Sequence, residues 1–212
     1  MGKETINKES FIYQEITKLF PNAHCELNYQ NAIQLLIAII LSAQTTDEAV
    51  NKVTNSLFNK YKNIEDYIQV PLEVLEQKLK HLGLYKVKAK NIKAMSIQIK
   101  DFYNGEILPS QEMLESLPGV GRKTANVFLA EWYHVPRIGV DTHVKRISVR
   151  LGLADETDNP EQIEVKLMNL YHESLWIDLH HKFIFFGRYF CKAKKPNCQN
   201  CPIISVCKKP LI

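Results

Sequence analysis

The chain has 212 residues, 45% of them hydrophobic and 24% charged, with only 8 Gly and 9 Pro, so it can bury real cores and is neither fibrous nor disordered in composition. Its formal net charge of +4 is mild and by itself barely points to a polyanionic partner. The most apolar run, Ala32 to Ala43, is interrupted by Gln34 and too short to cross a bilayer, and the polar segment Met1 to Ser10 lacks the apolar centre of a secretion signal, which predicts a cytoplasmic protein.

No sustained alternation of apolar and polar residues occurs, so the predicted fold class is all-α. Ala32 to Ala43 reads as a buried core helix. Leu72, Leu75, Leu79 and Leu82 recur at helical spacing, with Pro71 suited to a first turn and Gly83 to the stop. Ile92, Met95, Ile99 and Phe102 mark the next helix, which ends at Asn104 and Gly105. Ser110 caps a short amphipathic stretch, Leu117-Pro118-Gly119-Val120-Gly121 forms a tight turn, and a second helix starts at about Arg122. Asn159 caps a helix whose first residue is Pro160 and whose apolar face carries Ile163, Leu167 and Leu170; another runs from about Leu175 toward Phe186. No Pro/Gly/Ser linker divides the chain.

Chemistry concentrates at three places. In Gly119-Val120-Gly121-Arg122 two glycines allow unusual backbone angles and close approach, and the helix start behind them offers unpaired amides and a partial positive charge. That combination suits one phosphate of a nucleic-acid backbone, although a bare Gly-x-Gly more often only turns the chain. Lys123 lies in the first turn of the same helix, beside Arg122, where the helix end and the neighbouring cation oppose a further positive charge, the condition an amine nucleophile needs. Asp141, in Val140-Asp141-Thr142-His143, reads as a helix N-cap.

Five cysteines in a cytoplasmic chain argue against a disulfide framework. Four of them, Cys191, Cys198, Cys201 and Cys207, fall in one short segment and suit either a tetrahedral metal or an iron-sulfur cubane; ligand type alone leaves zinc and iron-sulfur open. Cys25 stands apart and reads as a buried thiol. From Lys182 onward there is no Asp or Glu, while Lys182, Arg188, Lys192, Lys194, Lys195, Lys208 and Lys209 are cationic, a run that reads first as solvated surface.

The stretch from Leu117 to Ala125, the Val-Asp-Thr-His element at 140–143 and the C-x6-C-x2-C-x5-C ending together resemble the endonuclease III branch of the helix-hairpin-helix DNA glycosylases, over roughly Phe11 to Cys207. The resemblance implies two helical domains: a six-helix bundle over 25–135, with the hairpin at about 110–132, and a cluster domain of 1–24 with 136–212, duplex DNA lying in the cleft between them. It implies excision of damaged bases, oxidised pyrimidines foremost, with β-elimination through a Schiff base on Lys123 assisted by Asp141. The four cysteines are then ligands of a [4Fe-4S] cluster, with Lys192, Lys194 and Lys195 on the loop between the first two reaching phosphates. Gln44, at the end of the apolar helix, and Leu84 match the residues that fill the space left by a flipped nucleotide. The implied partner is duplex DNA with damaged bases or abasic sites, bound by a monomer working in the nucleoid. Phe186 stands where many relatives carry histidine. An adenine mismatch glycosylase shares most of these elements but lacks the hairpin lysine; a non-catalytic DNA-binding module has no use for both Lys123 and Asp141.

Overall fold

The computed structural model describes residues 7–210, and among these the secondary structure is helical throughout, with no strand. The chain separates into two compact units, one spanning Glu26–Val135 and one made from its two ends, up to Cys25 and from Pro136 onward.

In the first unit the central element is α2 (Ala32–Ser42), whose Leu35, Leu36, Ile37, Ala38 and Leu41 have no exposed surface. A helix apolar on every side must be surrounded. Three helices pack on it: α3 (Asp47–Lys60), α6 (Tyr85–Tyr103) and α8 (Arg122–Tyr133). The short α4 (Ile64–Gln69) and α5 (Leu72–Leu79) lie on α6. They are separate because Val70, held extended before Pro71, cannot continue a helix. Pro71 is consequently the N-cap of α5, outside its first turn, and α5 ends at Leu79 rather than near Gly83, with the Leu82 amide turning back onto the Leu79 carbonyl at 2.9 Å.

On α6 the expected face holds at Ile92, Met95 and Ile99, all fully buried, but Phe102, which continues the spacing, is 78% exposed. It lies in the last turn of the helix, where the periodicity persists and nothing covers it. The helix ends at Asn104 in left-handed conformation, as expected. Then α7 (Gln111–Ser116), capped by Ser110 Oγ accepting the Met113 amide, leads through the Gly119 turn into α8, against which it packs.

The core of the second unit joins Ile12 and Ile16 of α1 (Lys8–Leu19), Val144, Ile147 and Leu151 of α9 (Thr142–Leu151), Ile163 and Leu167 of α10 (Pro160–Leu170) and Leu179 and Phe183 of α11 (Trp176–Phe185). Asn159 and Pro160 start α10 with a reciprocal capping box to Gln162. Polar contacts also tie the N-terminal helix to the rest: Lys8 Nζ donates to the Leu151 carbonyl at 2.6 Å, and the Tyr13 hydroxyl to Asp178 Oδ2 at 2.5 Å. Burial, reinforced by Asp178, pushes the Tyr13 phenol up to about 12. Lys182 does not belong to the solvated basic run: it is only 2% exposed and ion-paired with Asp178 at 2.6 Å. Phe186 enters the core and stacks on Phe190 across a π-helical turn, Phe186–Phe190, that follows α11. Cys25 is half-buried, not enclosed.

Candidate functional site

The two hairpin glycines do different things. Gly119 has φ +82°, and a Cβ there would stand 2.8 Å from Asn91 Nδ2 and 3.0 Å from Asn91 Cβ, so the turn requires glycine twice over. Gly121 has φ −101° and ψ 177°, extended backbone that any residue adopts, and a Cβ there would meet nothing within 4 Å. The expectation that both glycines supply unusual backbone angles is therefore corrected: Gly121 contributes open space. It is also the N-cap of α8, and no side chain caps that helix end. The first turn of this twelve-residue helix thus has no side-chain cap and no carboxylate, and the space beside Gly121 Cα is open. Arg122 is exposed, Lys123 is half-buried, and the Val120 side chain is buried, leaving Val120 its main chain to offer.

Asp141 is the N-cap of α9. Its Oδ1 accepts the Val144 amide at 2.8 Å, while Oδ2 makes no hydrogen bond among the described residues. One oxygen fixes the orientation of the carboxylate and the other remains available. His143 accepts at Nδ1 from Arg146 Nη2 at 3.1 Å, and burial lowers its pKa, with Asp141 opposing and Arg146 and Arg188 adding to the effect. Lys123 belongs to the first compact unit and Asp141 to the second.

Gln44 and Leu84 share a conformation that side chains rarely accept. Of the five non-glycine residues with positive φ among the described residues, Asn104 and His134 close helices, whereas Gln44 (φ 55°), Leu84 (φ 58°) and Lys195 (φ 51°) are all residues singled out for contact with a ligand. Left-handed backbone costs a leucine or glutamine roughly 1–2 kcal/mol, so surrounding contacts must impose it. Leu84 is 56% exposed, and the buried leucine of that turn is Leu82. Gln44 is exposed in the short connection between α2 and α3.

The cysteine segment is organised by two arginines that the sequence motifs did not reveal. Arg150 donates to Cys191 Sγ at 3.3 Å and to the carbonyls of Lys192 and Ala193 at 2.8 and 3.1 Å; Arg146 reaches the Gly187 and Cys191 carbonyls at 2.6 and 3.3 Å. Their four-residue spacing on α9 was a visible signal, but their backbone targets were not. Gly187 permits this approach, since a Cβ there would lie 3.0 Å from His143 Cβ and 3.2 Å from Arg146 Nη2. Lys192, Lys194 and Lys195 are exposed on the loop so held.

Burial pushes the Cys201 thiol up, and charge on Cys191, Cys207 and Cys198 would push it further; the Cys207 thiol is likewise raised by burial and by Cys191 and Cys198. Among the described residues, however, no group of three or more His, Cys, Asp or Glu side chains is arranged to hold a single metal ion.

Residues 37–173 match the HhH-GPD superfamily base excision DNA repair protein family. The chain is 48% identical over 199 residues, 94% of its length, to Endonuclease III of Bacillus subtilis, of which it covers 91%. Among solved structures it resembles a non-covalent Endonuclease III-DNA complex (TM-score 0.93, 48% identity, 96% of both chains) and a trapped Endonuclease III-DNA covalent intermediate with an estranged adenine (TM-score 0.92, 48% identity, 96% of this chain and 97% of that one). An all-helical chain with this glycine hairpin, aspartate cap and cysteine-bearing end thus belongs to the HhH-GPD superfamily of base excision DNA repair proteins, alongside the endonucleases III.

Proposed function

We propose that this chain is a bifunctional DNA glycosylase and abasic-site lyase that acts on damaged bases, oxidised pyrimidines foremost, in duplex DNA. The observation that carries the proposal is the start of α8: uncapped amides with an open approach at Gly121, and Lys123 in the same helical turn. A phosphate docked on the amides of Gly121 and its neighbours fixes the DNA backbone beside the lysine without reading sequence. The Lys123 amine attacks C1′ of the damaged nucleotide, the bond from C1′ to the base breaks, and the base leaves with the bonding pair, taking up a proton. Opening of the sugar ring leaves an iminium on Lys123 Nζ. Loss of a proton from C2′ then expels the 3′-phosphate by β-elimination, and water releases the lysine. Asp141 receives the proton that Lys123 gives up and stabilises positive character on the sugar, a role for its uncommitted Oδ2. Gln44 and Leu84 fill the vacated stack, and Lys192, Lys194 and Lys195 meet phosphates from the loop held by Arg150.

Cys191, Cys198, Cys201 and Cys207 are proposed ligands of a [4Fe-4S] cluster. The donor set fits by its chemistry: four free thiols in one short segment are the ligand type that such a cluster takes, and Arg150 holds the first of them at Sγ. When bound, the cluster cross-links the C-terminal segment and orders it. The protein works as a monomer on DNA in the nucleoid; no helix among the described residues is long and apolar enough to cross a membrane.

The test is Lys123→Gln with borohydride trapping on a damaged duplex. The variant is expected to keep DNA binding and to lose base release, nicking and covalent capture together. Capture that persists in the variant overturns the assignment of the nucleophile.

A further inference from the structure

Lys88, in the first turn of α6, is a lysine only 4% exposed, with no carboxylate partner among the described residues. Burial lowers its pKa, the ordinary response of an amine taken out of water. Its Nζ makes two bonds of 2.9 Å, to the Leu41 carbonyl in the last turn of α2 and to Thr45 Oγ1 in the connection that follows. A cation suits that place, because a helix C-terminus carries unpaired carbonyls and partial negative charge. Gln44 lies between these two anchors. At the other end of the same residue, the Lys88 amide donates to the Leu84 carbonyl at 3.0 Å. One residue therefore joins the backbone around Gln44 to that of Leu84, the two exposed residues held at φ 55° and 58°.

We infer that Lys88 is a positioning residue that locks Gln44 and Leu84 into one rigid wedge for opening the base stack. The inference rests on the proposal that these two side chains enter the DNA. A side chain that replaces a stacked nucleotide is pushed back by the stack, and a four-residue connection resists poorly unless it is tied to a rigid element. Lys88 supplies that tie from α6 without touching DNA, a use for a buried ammonium that an apolar residue of similar length would not have.

The experiment compares nicking of a lesion in a fully paired duplex with nicking of the same lesion inside a bubble of unpaired bases, where no stack has to be opened. Lys88→Met, close in volume but unable to donate, is expected to lower the duplex-to-bubble rate ratio on the order of 10- to 100-fold, the worth of a charged hydrogen bond. Thr45→Val removes one of the two anchors and lowers the ratio less, Thr45→Ser restores it, and these variants carry the test if Lys88→Met does not fold. Gln44→Ala also lowers the ratio, and adding Lys88→Met to it causes little further loss. A Lys88→Met or Thr45→Val protein that slows both substrates equally, or effects that simply add in the double variant, overturn the inference while leaving the wedge in place. A Gln44→Ala protein with an unchanged ratio removes the wedge reading and the inference with it.

Discussion

The two roles assigned to Asp141 can be separated by substitution. Asparagine caps a helix about as well as aspartate, so Asp141→Asn keeps the bond from the Val144 amide, 2.8 Å in the native protein, and loses only the charge. Against the α9 dipole that charge is worth about 0.3–1 kcal/mol. Asp141→Ala loses the cap as well, a further cost of about 1 kcal/mol. In a protein of this size each kcal/mol moves the melting temperature by about 2–4 °C. The asparagine variant should therefore melt within a few degrees of the native protein, with the alanine variant a few degrees lower. Activity should not follow that order: removing a positioned proton acceptor costs about 100- to 10,000-fold in rate, and both substitutions remove it. Single-turnover base release and nicking, measured beside thermal melts, give the comparison. Wild-type turnover in Asp141→Asn together with impaired turnover in Asp141→Ala would show that the residue matters only as a cap, and would refute the reasoning.

The hairpin glycines make an opposed pair. Gly119→Ala must accept left-handed backbone and displace Asn91, at a cost of about 2–3 kcal/mol, and melts roughly 5–10 °C lower. Gly121→Ala meets neither obstacle, keeps or slightly gains stability, and instead weakens DNA binding by crowding the amides; equal melting of the two variants contradicts this division. His143 gives a pH signature: with its folded pKa below the usual 6.5, the unfolded chain binds the extra proton, so its contribution falls as pH drops from 6.5 toward the folded value and is constant above. His143→Gln should flatten the dependence of stability on pH just below 6.5, and an unchanged slope in urea melts sinks the assignment.

Wherever one local rule decided the outcome, the sequence was a sufficient guide. Ser110, Asn159 and Asp141 cap the helices that their spacing predicts, because a cap needs only a side-chain oxygen and the amide three residues on. The all-helical class followed from periodicity, and the tight turn of the hairpin from Gly119. The rule misled where a repeat outlived its partners, as at Phe102, or where charge was counted without its surroundings, as at Lys182. Nothing local distinguishes Gly119 from Gly121, or marks Lys88 among the neighbouring lysines 86 and 90. Those differences arise from atoms distant in the chain: Asn91 under one glycine, and Leu41 and Thr45 around one ammonium. Sequence alone thus determined the helical class, the helix starts that carry a side-chain cap and the reactive residue types, which depend on neighbours within a turn. Only tertiary structure decided which charges are buried, which carboxylate oxygen stays free and which strained backbones are held, because those properties belong to contacts between segments that the chain keeps far apart.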